Sequence, residues 1–153
     1  MQKSSLSFIT VIIILLVLVL LFAMLFSPSP VFEDFSNYKE DFTNVATAAK
    51  NIYENNDNQY EVIQGHITID LSDDIWEQQN VQTSAITIEN QGLTYLWVSD
   101  EYVIFWEDER KKYGVVYSKK ALSVISKMQR DWYNGMRYKR LANNWYEIGQ
   151  FGR

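Results

Sequence analysis

Apolar and polar positions divide the chain into two regimes. Phe8 to Phe26 reads FITVIIILLVLVLLFAMLF, nineteen residues in which Thr10 is the only polar side chain. An α-helix of that length spans roughly 28 Å, close to the hydrocarbon thickness of a bilayer. A core helix of a globular domain would carry a polar stripe, so the run predicts a transmembrane helix. Beyond it the pattern becomes periodic. Phe32, Phe35, Tyr38, Phe42, Val45, Ala49, Ile52 and Tyr53 recur at steps of three and four, which predicts one amphipathic helix over about 32–54. The Asn/Asp cluster at 55–58 ends it.

Strand signals follow. Ile67, Ile69 and Leu71 alternate in HITIDL, and Ile86 and Ile88 alternate in AITIE, so both segments are expected as strands. ENQGLTYLWV predicts a hairpin with Gly92 in a three-residue loop. Ser99-Asp100 turns the chain into YVIFWE, whose apolar residues on both faces predict a central strand, and ERKK turns it again into YGVVYS. Residues 120–133 predict a helix with Ala121, Val124, Ile125, Met128 and Trp132 on one side and Asn134-Gly135 as its stop. MRYKRL, ANN and WYEIGQF form a last hairpin. The expected fold class is α+β: an N-terminal transmembrane helix, then a small domain with an antiparallel β-sheet, a meander, packed against one or two helices.

The junction LFSPSPVFEDF decides whether the apolar run is removed or retained. Cleavage after Ser29 would leave Pro30 next to the cut, a poor context, and Leu25 is too large for the alternative site. The expected organisation is therefore a short tail (1–7), an uncut signal-anchor helix (8–26), a Ser/Pro spacer (27–31) and an extracytoplasmic domain (32–153). Lys3 and the terminal amine favour a cytoplasmic N-terminus, with the domain outside the cell membrane. A membrane helix, an amphipathic helix and then a sheet together resemble the plan of type IV pilins and pseudopilins. The resemblance is architectural: the glycine-ended basic leader and the early glutamate of those proteins are absent here, and no family follows from it.

Composition narrows the chemistry. No cysteine is present, which excludes disulfides and thiolate sites, and His66 is the single histidine. His66 opens a strand beside Gly65 and is expected at the surface. No nucleotide-binding, zinc-helix or nucleophile-elbow motif occurs, and no cofactor or metal is expected. Asp70, Asp73, Asp74, Glu77 and Glu107–Glu109 are expected as solvated turn acids. A small membrane-tethered hydrolase of envelope polysaccharide would instead need two of them facing each other across a cleft. The five tryptophans suit a core better than a sugar platform.

Charge is the least ordinary feature. Residues 31–109 hold seventeen acidic side chains against Lys39 and Lys50, whereas residues 110–153 hold eleven basic ones against Asp131 and Glu147. Such a split implies either internal counter-charges or a surface for an opposite partner. Lys120, Lys127 and Arg130 on the second domain helix, with Arg137 and Lys139 on the next strand, are the candidate binding patch. The partners expected are the lipid bilayer through residues 8–26 and an acidic protein or anionic envelope polymer. Nucleic acid is not expected, since the domain as a whole is acidic. The function this supports is a membrane-anchored, non-catalytic binding or assembly module, with the hydrolase and a pseudopilin-like subunit as the alternatives.

Overall fold

The computed structural model describes residues 12–15, 34–107, 113–131 and 136–149. The chain divides into two compact units, Met1–Glu33 and Asp34–Arg153. In the first, residues 12–15 are helical; the rest of the predicted anchor and its spacer lie outside the described residues. No helix among the described residues is long and apolar enough to cross a membrane.

The second unit is an α+β fold built on a six-stranded antiparallel sheet. Helix α1, Phe35–Glu54, buries Phe35, Phe42, Val45, Ala46 and Ala49, a stripe at helical spacing. It ends where the Asn55 side-chain amide donates to the carbonyl of Asn51 at 2.8 Å. Strand β1, Ile67–Asp70, alternates buried and exposed residues as the sequence predicts.

The segment expected to be the next strand is a helix. Helix α2 spans Gln79–Glu89 and buries Val81, Ser84, Ala85 and Ile88, spaced three, four and seven apart. Ile86 is 52% exposed, so the alternation of Ile86 with Ile88 marks no common face. Thr83 and Thr87 donate their hydroxyls to the carbonyls four residues back, a bond that suits threonine within a helix. On α1, Asp41 accepts the Ser84 hydroxyl at 2.7 Å, and the Asn44 amide donates to Ser84 Oγ at 3.3 Å. Gly92 does take a positive φ of 91°, but in the turn leaving α2, where its N–H donates to the carbonyl of Glu89. It is not a hairpin loop.

Strands β2 (Tyr95–Val98), β3 (Val103–Trp106) and β4 (Tyr113–Tyr117) follow as a meander. The predicted turn at Ser99-Asp100 is closed by the Ser99 N–H on the carbonyl of Tyr102. The predicted turn ERKK and the Asn134-Gly135 stop lie outside the described residues. Helix α3, Ala121–Asp131, leads to the hairpin of β5 (Arg137–Ala142) and β6 (Trp145–Gly149). The strand order is β1-β2-β3-β4-β6-β5. The meander thus stops at β4: β6 takes the place beside it, and β5 becomes the outer strand.

Register divides the sheet into two faces. One carries Ile69, Leu96, Phe105, Val115 and Trp145 under α1, where Phe42 meets the Phe105 ring at 4.8 Å and the Trp145 ring at 5.8 Å. The other carries Tyr95, Trp97, Ile104, Trp106, Val116 and Ile148 in one cluster with Val124, Ile125 and Met128 of α3. β3 is buried on both faces, the central position expected of an unbroken apolar run. Trp76, Trp97, Trp106 and Trp145 are all buried; Trp132 lies outside the described residues.

Candidate functional site

Helix α3 turns its apolar residues to the sheet because Val124, Ile125 and Met128 share one side. Lys120, at its entry, and Lys127 and Arg130 within it are all exposed. Lys120 lies 3.7 Å from Glu101, with the two side chains 73% and 42% exposed, a pair worth little to stability in water. Arg137 and Lys139 are exposed as well, but they do not continue this face. They pair with Gly149 and Glu147 of β6, while Tyr138 and Arg140 pair with Ile148 and Tyr146. Directly opposed residues share a face. Arg137 and Lys139 therefore stand on the α1 side of the sheet, and Tyr138 and Arg140 on the α3 side. The five predicted residues form two groups separated by the sheet's edge. Arg140, absent from the predicted patch, belongs on the helix side. Two-residue periodicity shows that Arg137 and Lys139 share a face, but only register shows which one.

The β6 partner of Lys139 is a buried acid. Glu147 is 3% exposed and burial raises its carboxyl pKa, with the Lys139 charge acting in the opposite direction. A carboxylate whose folded pKa lies above its unfolded value holds its proton longer in the folded state. Stability must then fall as pH rises from the ordinary carboxylate range through the raised value. Glu147→Gln is expected to remove this descent and raise the melting temperature at neutral pH. Lys139→Gln should deepen it. Thermal melts at a series of pH values check both, and an unchanged pH profile in Glu147→Gln would sink the assignment.

The acidic part is organised differently. Asp73 is tied into the turn after β1, where its Oδ2 accepts the Asp70 N–H at 3.3 Å and its own N–H donates to the Asp70 carbonyl. Asp74, Glu77 and Glu107 are exposed, and Asp108 and Glu109 lie outside the described residues. Among the described residues no group of three or more His, Asp or Glu side chains could hold a metal ion. Lys50, one of two cations in this half, donates to the carbonyls of Ser99 and Asp100 at 2.5 and 2.6 Å, joining α1 to the β2–β3 turn; its partial burial lowers its pKa.

His66 is not the surface residue expected from its place at a strand end. It is 4% exposed and stacks on Trp97 at 4.2 Å. The backbone exchange between Ile63 and His66 folds the preceding turn back and lays the imidazole on the indole, a packing role.

A concavity of about 440 Å³ lies between α1 and the segment entering α2. Asn44, Asn51, Asn55, Gln59, Gln78 and Asn80 dominate its polar lining, and Glu77 is its one ionisable residue. Such a lining suits a neutral ligand with both donors and acceptors. Several of its polar groups already serve the fold: Asn44 donates to Ser84, Asn55 to Asn51, and the Trp76 indole to the Leu71 carbonyl at 3.0 Å.

The chain matches no protein-family model, no curated protein and no solved structure.

Proposed function

We propose that the protein is a membrane-anchored, non-catalytic binding module. In this reading residues 8–26 hold it in the bilayer with the N-terminus in the cytoplasm, and the folded unit presents its basic surface to an acidic partner at the outer face. One observation carries the proposal: Lys120 at the entry of α3, Lys127 and Arg130 on it, and Arg137, Lys139 and Arg140 on the strand that follows are all exposed. Lys120 reaches one carboxylate of the acidic half, Glu101, but in a solvent-exposed pair at 3.7 Å that contributes little to stability. Exposed charges act over about a Debye length of 8 Å at physiological salt, so a partner held this way must come close and must be salt-sensitive.

Crosslinking in native membranes tests the reading. The wild-type protein should give a specific adduct with an acidic protein at low salt and lose it at high salt. Replacing Lys120, Lys127 and Arg130 with Gln should weaken the adduct, with stability unchanged within about 0.5 kcal/mol, as for other exposed positions. No specific adduct at any salt concentration would overturn the proposal. So would a Gln variant whose main defect is a lowered melting temperature, because the cations would then be internal counter-charges.

A further inference from the structure

The two outer strands of the sheet end differently. At β1 the chain folds back on its own edge. Ser99 pairs with Tyr102 across the β2–β3 turn. Backbone groups alternate in direction along an antiparallel ladder, so Leu96 and Val98 turn theirs toward β1, and their partners Ile69 and Ile67 face inward. His66, Thr68 and Asp70 therefore face outward. His66 is already paired with Ile63, and the Asp70 N–H and carbonyl are both taken by Asp73. Only Thr68 keeps an outward position between two closing turns.

At β5 no such closure occurs among the described residues. The Ser118 N–H donates to the Asn144 carbonyl, which sets the phase of the β4–β6 ladder: Tyr146 and Ile148 turn their backbone groups to β4, and Glu147 and Gly149 turn theirs to β5. Lys139 and Arg137, their partners, face inward. Tyr138 and Arg140 thus direct their N–H and carbonyl groups away from the sheet, and no described strand pairs with them. All four residues from Arg137 to Arg140 are exposed, Tyr138 to 49%. Just before them the Met136 carbonyl accepts the Gln129 side-chain amide at 2.6 Å, fixing the strand's entry against α3.

The charges on this edge select what can be added to it. Arg137 and Lys139 stand on one face and Arg140 on the other. A second copy of β5 would lay cation against cation, which is unfavourable between adjacent strands and is a common protection of sheet edges. An extended segment rich in Asp and Glu would meet opposite charge on both faces. We infer that the outer edge of β5 is a strand-addition site for an extended acidic segment of a partner protein, held by the outward backbone groups of Tyr138 and Arg140 and selected by Arg137, Lys139 and Arg140. This rests on the binding-module reading and adds that the contact is made backbone to backbone.

The full chain in detergent micelles provides the test, with a blocked Glu-rich peptide about eight residues long, carrying Glu at both odd and even positions, as the probe. Bound peptide should slow amide hydrogen exchange at Tyr138 and Arg140 while leaving Arg137 and Lys139, already paired to β6, unchanged. N-methylating every residue of the peptide keeps its charge and removes the donors of both edges; affinity should drop roughly tenfold or more for two lost backbone bonds. Tyr138→Pro removes an outward N–H without touching the ladder to β6, a substitution edge strands tolerate, and should produce a similar loss. Equal binding of plain and methylated peptides would overturn strand addition yet leave a basic binding surface standing. Binding to vesicles of anionic lipid, with no binding to either peptide, would overturn the peptide partner altogether.

Discussion

Phe42→Ala is expected to destabilise the folded unit by about 3–5 kcal/mol, the largest effect of any single truncation considered. Phe42 is fully buried and meets three aromatic rings, Phe35 at 5.3 Å, Phe105 at 4.8 Å and Trp145 at 5.8 Å. It is the side chain through which α1 holds both the centre of the sheet and β6. Removing it opens a cavity between the helix and two strands, and the rings around it are too rigid to fill the space. A domain stable by some 5–15 kcal/mol would lose a large share of its margin. Because Trp145 begins the strand that carries β5, the loss should reach the basic edge as well. Denaturant unfolding of wild type and variant measures it. A change below about 1 kcal/mol would mean that α1 is not seated on the sheet as described.

Gly114→Ala comes next, with an expected cost of roughly 1–3 kcal/mol from overpacking. A Cβ built at Gly114 would stand 2.5 Å from the carbonyl oxygen of Phe105 and 2.9 Å from Cε3 of Trp106. The first of these is backbone of the neighbouring strand and cannot turn aside. The second belongs to a fully buried indole packed against Trp97 at 5.4 Å. Glycine is needed here for room beneath Trp106 rather than for a special backbone angle. Gly114→Val should cost more than Gly114→Ala, since its added methyls press on the same ring. Melting curves of the pair decide the matter, and an alanine variant within about 0.5 kcal/mol of wild type would show that β3 and β4 do not approach this closely.

Both sites lie in elements that local pattern reveals. Phe35, Phe42, Val45 and Ala49 repeat at helical spacing over enough turns to predict α1 from periodicity alone. The apolar run YVIFWE predicts a strand covered on both sides, and β3 occupies that place. The stripe of Val124, Ile125 and Met128 predicts α3 in the same way. Where the pattern was short it misled. Ile86 and Ile88 suggest a strand, while the same stretch places Val81, Ser84, Ala85 and Ile88 on one side of a helix. Ser84 and Ala85 carry too little hydrophobicity to announce that side. What selects the helix is its fit to α1, where Asp41 and Asn44 meet the Ser84 hydroxyl.

The candidate surface divides along the same line. Segregation of charge, the helical spacing of Lys127 and Arg130, and the shared face of Arg137 and Lys139 are legible before folding, because they depend only on residue order and the 3.6- and 2-residue periods. The place of β6 between β4 and β5, the position of Arg137 and Lys139 across the sheet from α3, and the pairing of Lys139 with the buried Glu147 emerge only in the folded chain. Strand order and register come from packing between segments far apart in the chain, and a one-residue slip would exchange the two faces of β5. Periodicity can state which residues travel together; only pairing with β6 states which way they point.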